Sequence, residues 1–190
     1  QEDLMPLLNQ EALLRLQEST KTPVCISERL LTRWQHRLFI ENGSARIVMP
    51  DLIWTGGISE THRVAILASA HQVPIAPHDA TGPVNIFACA QICMSSPNAM
   101  IQEHVPSMYK GWYNDVVDPN LDIRDGFLYA PPRPGIGTRL RPEVRERSDA
   151  TVVVSDEPGE SLIDAWGPTP GRTEAMQAEV DMLRAERGPQ

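Results

Sequence analysis

Cysteine is scarce in this sequence. Its 190 residues contain three, Cys25, Cys89 and Cys93, each in an apolar stretch. An odd, sparse set does not make a disulfide framework and fits a reducing, cytoplasmic compartment. Cys89 and Cys93, four residues apart, share a helix face. Two thiols alone make a poor metal site, so they read as core residues. Long hydrophobic runs are missing as well. No stretch of about 18 apolar residues occurs, which excludes a transmembrane helix and argues against a membrane partner. No signal peptide is recognisable at the start. The chain opens on Gln1 rather than Met, as a piece of a longer polypeptide would. Positive charge is in deficit, with 17 basic against 25 acidic residues and a net charge of −8. Without a basic stripe, such a chain is not expected to bind nucleic acid.

What remains is the composition of a globular protein, 41% apolar and 22% charged, long enough for one sizeable domain with a real core. Leucine at helical spacing predicts an amphipathic helix over 7–18. Strand 24–27 (VCIS) follows, then a helix over 28–42 closed by Gly43. A strand at 45–50 (ARIVMP) leads through a loop with Gly56-Gly57 to a helix beginning at Glu60, with Ser59 as its cap. A third strand, 73–77 (VPIAP), precedes a helix from Pro83 to about Met94, and a fourth, 98–102 (NAMIQ), ends at Glu103. The order βαβαβαβ implies an α/β protein with a parallel sheet and crossover helices. The strands are short and apolar without alternation, as when both faces are buried.

Beyond Glu103 the texture changes. Residues 104–150 are rich in Pro, Gly, Tyr and charge, with an extended, turn-rich PPRPGIG at 131–137. A Pro- and Gly-rich linker covers 155–171, and 173–187 has the pattern of a short helix. Two regions are therefore expected, 1–150 and a tail, 151–190.

The ionisable residues fall into step with the strands. Glu28, Asp51, His78 and Glu103 each stand at a strand end, separated by 23, 27 and 25 residues, about one βα unit each. A lone strand-end Asp is usually a turn residue, and a lone His is usually structural. Recurrence at one structural point is different. In a (β/α)8 barrel that rim carries the active site, and in an open doubly wound sheet the same strand ends carry ligands, usually at one switch point. Asp51 and His78 come from adjacent strands, which places their side chains side by side. A carboxylate beside an imidazole fixes its tautomer and stabilises its protonated form. Asp79 follows His78 directly, but neighbouring strand residues point to opposite faces, so Asp51 is the expected partner. Carboxylates such as Glu28 are hard oxygen ligands suited to Mg²⁺. A metal beside a base suits removal of a proton next to a carboxylate.

The segments PVCISERL, IVMPDLIWTGGISE, PIAPHDATGPV and NAMIQEH resemble successive strand ends of the mandelate racemase/muconate lactonizing enzyme family of the enolase superfamily. Within it they are most similar to sugar-acid dehydratases of the galactonate type. DGFLYAPPRPGIGTRL resembles the segment that closes those chains, and the likeness spans about residues 1–150. The resemblance implies the carboxy-terminal part, about strands 5–8, of a (β/α)8 TIM-type barrel followed by an extended C-terminal segment. It implies metal ligands at Glu28 and, 26 residues earlier, at Glu2. It implies an Asp51–His78 dyad with His78 as general base, and Glu103 as an acid that hydrogen-bonds the substrate. Leu4 stands where the family usually has proline. Arg29, Trp54 and Asp79 are further pocket candidates that the motifs do not assign.

The implied activity is a Mg²⁺-dependent dehydration of a sugar acid, an aldonate or aldarate, to a 2-keto-3-deoxy acid, by a homo-oligomer. The family's first metal ligand, its second acid/base group and its capping domain would lie upstream of Gln1. A racemase or epimerase on the same scaffold is the alternative. An upstream Asp-x-His would favour dehydration, and an upstream Lys-x-Lys racemisation. A truncated, non-catalytic product is the alternative from another class.

Overall fold

Prolines govern how the sheet is built. Pro50, Pro74 and Pro77 stand at strand ends, where each removes a ladder donor and shortens the regular pairing. In the structure, a computed structural model that describes residues 1–129, 131 and 133–151, only two parallel strands reach regular pairing, at two residues each. They are β1 (Cys25–Ile26) and β2 (Ile47–Val48), with Cys25 opposite Ile47. The remaining rungs are single parallel bridges: Glu2 to Cys25, Val48 to Ile75, Asp51 to His78 and Ile75 to Ala99. Five chain segments thus lie side by side in sequence order. The expected strands are present, but pared down to bridges where proline interrupts them.

Backbone hydrogen bonds carry the ladder up to the rim. The His78 amide donates to the Pro50 carbonyl at 3.1 Å, and the Glu103 amide to the Pro77 carbonyl at 3.0 Å. Consecutive strand ends are therefore held in register at the residues the sequence singled out.

The crossovers are helical. α1 (Gln10–Ser19) precedes β1, α2 (Thr32–Glu41) links β1 to β2, and a short α3 (Leu52–Thr55) and α4 (Gly57–Ala70) follow β2. α5 (Pro83–Ser95) has proline in its first turn, as expected. Three expected starts move. α1 begins at Gln10 rather than Leu7, because the Asn9 side chain caps it by accepting from the Ala12 amide at 2.9 Å. α2 begins at Thr32 rather than Glu28. Ser27 Oγ takes the Arg29 amide at 3.2 Å, and Gln35 Oε1 takes the Leu31 amide at 2.6 Å, so residues 28–31 form a turn at the rim. Ser59 is not a cap: α4 starts two residues earlier, at Gly57. Gly56, at φ +119°, breaks α3 and opens α4 in one step, and a Cβ there would crowd Glu60 Cβ at 3.3 Å.

The core forms where the helices cover the sheet. Val48, Ile75 and Val64 are fully buried, with Leu13, Phe39 and Cys89 packed in the same cluster. Cys25 and Cys89 are buried and Cys93 half-buried, all as free thiols. Burial pushes the Cys25 thiol up to about 12 and the Cys93 thiol to about 11, so both stay protonated. Glu60 staples α4 to the start of α2: its carboxylate pairs with Arg33 at 2.6 Å and with Arg63 at 3.1 Å.

Past Glu103 come two short helices, α6 (Pro106–Tyr109) and α7 (Tyr113–Val116). Two antiparallel ribbons follow, β3 (Val117–Asp118) with β6 (Arg139–Leu140), and β4 (Ile123–Arg124) with β5 (Phe127–Leu128). The sequence suggested only an extended, turn-rich segment here. Asp125-Gly126, both at positive φ, form the tight turn between β4 and β5. Tyr113 and Val117 pack with Ile86 and Phe87 of α5 in a second small core. Residues Gln1–Ser148 form one compact unit, while Asp149–Gln190 forms another, mostly outside the described residues. The expected linker at 155–171 and helix at 173–187 lie outside the described residues. Among the described residues the parallel segments follow one another in sequence order, and no closure into a ring is seen.

Candidate active site

Parallel pairing of β2 with its neighbour places Asp51 directly opposite His78. Both are buried, Asp51 completely. His78 Nδ1 lies 2.8 Å from Asp51 Oδ2. With Asp51 Oδ2 as the acceptor, Nδ1 carries the proton and Nε2 of the neutral imidazole keeps its lone pair. Asp51 is itself held from all sides. Its Oδ1 caps α3, accepting from the Ile53 amide at 2.7 Å and the Trp54 amide at 3.3 Å. Its Oδ2 also receives Asn85 Nδ2 at 3.3 Å and Thr81 Oγ1 at 3.4 Å.

On the other side of the imidazole, His78 Nε2 is 3.6 Å from Glu103 Oε2, an oxygen with no hydrogen bond among the described residues. Burial alone would lower the His78 pKa, but the Asp51 hydrogen bond and the charges of Glu103, Asp51 and Glu28 outweigh it and raise it. The Glu103 carboxyl is also raised, by burial and by Glu28 and Asp51, against a lowering from His78. Both groups are therefore shifted toward binding a proton. The Trp54 indole stacks on the imidazole, with ring centroids 5.6 Å apart and planes 29° from parallel.

Glu2 and Glu28 come from the two preceding rungs. Their carboxylates, with that of Asp3, lie within 4.8 Å of one another. Arg29 reaches into this group but pairs with Asp3, at 2.8 Å, and with Ser27 Oγ, at 3.1 Å. No cation pairs with Glu2 or Glu28 among the described residues. Burial raises the Glu2 pKa, and the neighbouring charges of Glu103, Asp3 and Glu28 raise it further. Concentrated, uncompensated carboxylate oxygen is the donor set a hard divalent cation such as Mg²⁺ takes, so these residues fit one.

The sequence candidates thus form two adjoining groups: Asp51, His78 and Glu103 in one, Glu2 and Glu28 in the other. Arg29 proves to be a partner for Asp3, and Trp54 a wall against His78. Asp79 makes no hydrogen bond to the imidazole; its carboxylate shares the Asn85 amide with that of Asp51. It is fully buried behind the dyad, accepting from Asn85 Nδ2 at 3.1 Å and Tyr113 Oη at 3.4 Å. Burial pushes its carboxyl up to about 6; the Asn85 hydrogen bond opposes the shift and the Asp51 charge adds to it. Sequence reasoning missed Asp3, Thr81, Asn85 and Tyr113. Asp3 stands next to a candidate ligand, and Asn85 sits in the first turn of α5, which starts at the Gly82-Pro83 signal. Tyr113 has no local signal, because its contact is made across 34 residues.

Comparison with known proteins finds a matching family model, described as enolase C-terminal domain-like, over residues 2–144. The D-galactonate dehydratase of Variovorax paradoxus is 34% identical over 155 residues, covering 75% of this chain and 41% of the relative. The D-xylonate dehydratase of Haloferax volcanii is 32% identical over 139 residues, covering 73% of this chain and 34% of the relative. The chain therefore spans well under half the length of these curated relatives. Among solved structures, an enolase of the mandelate racemase subgroup from Agrobacterium tumefaciens superposes with a TM-score of 0.72 at 36% identity, over 76% of this chain and 40% of that one.

Proposed function

This chain belongs to the mandelate racemase/muconate lactonizing enzyme family of the enolase superfamily, and on that premise we propose that it is the base-bearing part of a sugar-acid dehydratase. The observation that carries the reading is the His78–Asp51 pair at 2.8 Å, with Nε2 facing Glu103 at the rim. The relatives that are dehydratases of galactonate and xylonate support the substrate class, an aldonate or aldarate.

His78 takes the proton from the carbon next to the substrate carboxylate, using the Nε2 lone pair. The C–H bonding electrons move toward that carboxylate. Asp51 holds the proton on Nδ1 and stabilises the imidazolium that forms. Glu103, on the Nε2 side, is placed to hydrogen-bond a substrate oxygen when protonated. Trp54 closes one face of the imidazole against water. Glu2 and Glu28 are the ligands that would hold a divalent metal, with Asp3 and Arg29 behind them. When bound, that metal supplies positive charge for the developing negative charge on the carboxylate. The hydroxyl on the next carbon leaves as water, taking its proton from the second acid/base group that the family supplies from another strand, and the enol formed becomes a 2-keto-3-deoxy acid.

The test is a panel of aldonates and aldarates incubated with the polypeptide that carries this chain and Mg²⁺, scored for 2-keto-3-deoxy acid. Product from at least one member supports dehydration. Inversion at the α-carbon without loss of water would support an epimerase instead.

A further inference from the structure

Behind the dyad lies a buried polar group that the proposed chemistry does not use. Asn85 is 3% exposed. Its Nδ2 lies 3.3 Å from Asp51 Oδ2, 3.1 Å from Asp79 Oδ1 and 3.3 Å from the His78 carbonyl. An amide nitrogen carries only two protons, so the three acceptors share them and fix the amide plane. Turning the amide over would aim its oxygen at two carboxylates, which sets the orientation on electrostatic grounds. We propose that Asn85 is a positioning residue for the His78–Asp51 pair, anchored from behind by Asp79 and Tyr113.

Asp79 has a simpler role available, as the residue that closes the turn into α5 by accepting from the Gly82 amide. That role accounts for Asp79 but not for an amide reaching from α5 across to the Asp51 carboxylate. Without Asn85, Asp51 Oδ2 keeps only His78 and the long Thr81 contact, and two buried carboxylates face each other with no donor between them. Oδ1 stays held by the Ile53 and Trp54 amides, so the loss falls on Oδ2, the oxygen that meets Nδ1, and the hold on the imidazole tautomer loosens there. Tyr113 extends the brace to the segment beyond Glu103, since its hydroxyl also meets Asp79, at 3.4 Å. The inference deepens the proposed role of His78 as base and takes its catalytic meaning from that reading; its geometry stands independently.

The experiment is ¹⁵N NMR of the full chain with labelled histidine and asparagine. The wild type should show neutral His78 with its proton on Nδ1, and Asn85 side-chain protons protected from exchange. In Asn85→Ala the Nδ1 preference should be lost and exchange of that proton should speed up about tenfold or more. Asp79→Asn retains an acceptor for Asn85 and should keep the tautomer, whereas Asp79→Ala should loosen it. A merely structural role would lower Tm but leave the tautomer unchanged. An unaltered tautomer and exchange rate in folded Asn85→Ala would overturn the proposal. If that variant does not fold, solvent-rate exchange of the Asn85 protons in the wild type would overturn it equally. Failure to find a dehydration product would refute the dehydratase reading and leave these spectra unaffected.

Discussion

His78 Nδ1 meets Asp51 Oδ2 at 2.8 Å, although 27 residues of chain separate them. The contact follows from backbone pairing, because the two residues are a parallel bridge in neighbouring rungs of the sheet. A charge-assisted hydrogen bond of this kind sets which nitrogen of the imidazole is free.

Replacing Asp51 by Asn should therefore act through the tautomer. An asparagine can present its NH₂ to Nδ1, which drives the proton to Nε2 and removes the base. In the complete enzyme we expect kcat to fall about 100-fold or more, within the range usual for acid–base groups. Metal affinity should change little. Steady-state kinetics with a Mn²⁺ titration checks both halves of the expectation.

The carboxylates of Glu2, Asp3 and Glu28 should behave unequally. Asp3 is neutralised by Arg29 at 2.8 Å, so Asp3→Asn should weaken divalent metal binding less than Glu28→Gln or Glu2→Gln. The latter two remove ligands outright and should each weaken binding about tenfold or more. Calorimetric titration of each variant with Mg²⁺ measures the order.

Trp54 contributes through the stack on His78 at 5.6 Å. An indole face stabilises the imidazolium, so Trp54→Ala should lower the His78 pKa, whereas Trp54→Phe should largely preserve it. With a wall of the pocket gone, KM should rise roughly two- to tenfold in Trp54→Ala. Histidine NMR titration and KM measurement read the two effects separately.

His36 makes a pH-dependent contribution to stability. It is fully buried in α2, its Nδ1 donating to the Thr32 carbonyl at 2.8 Å while Nε2 has no partner among the described residues. Burial pushes its pKa down from 6.5 to about 4. The unfolded chain therefore binds a proton at His36 before the folded chain does. Stability from this group is intact above about pH 6.5 and is lost as pH falls toward 4, by roughly 3 kcal/mol in all. Asp79, raised to about 6, runs the other way, favouring the fold on acidification. Because the two contributions oppose each other, denaturant titrations from pH 4 to 7 should show stability rising less with pH, or falling, in His36→Gln relative to the wild type, and equal slopes would contradict the assignment.

The parallel order and the rim positions were readable because they rest on periodic features: short apolar strands, helix-length crossovers, and an ionisable residue at each strand end. Glu28, Asp51, His78 and Glu103 stand out on spacing alone, and the segments around them carry the family likeness. Less readable were features decided by tertiary contact. Ser59 reads locally as a cap, but Gly56 opens α4 first. Glu28 reads as the start of a helix, yet the Ser27 and Gln35 side chains hold it in a turn at the rim. Asn85 and Tyr113 carry no pattern, since their partners lie on other elements. The ribbons after Glu103 pair two residues at a time, too few for a strand period to appear.

The central claim is that His78 is the base. Its most direct measurement is exchange of the substrate's α-proton with deuterated solvent, catalysed by the polypeptide that carries this chain and followed by NMR on an aldonate it turns over. His78→Asn should abolish that exchange while divalent metal binding stays near the wild-type level. Persistent α-proton exchange in a folded, metal-binding His78→Asn enzyme would contradict the account.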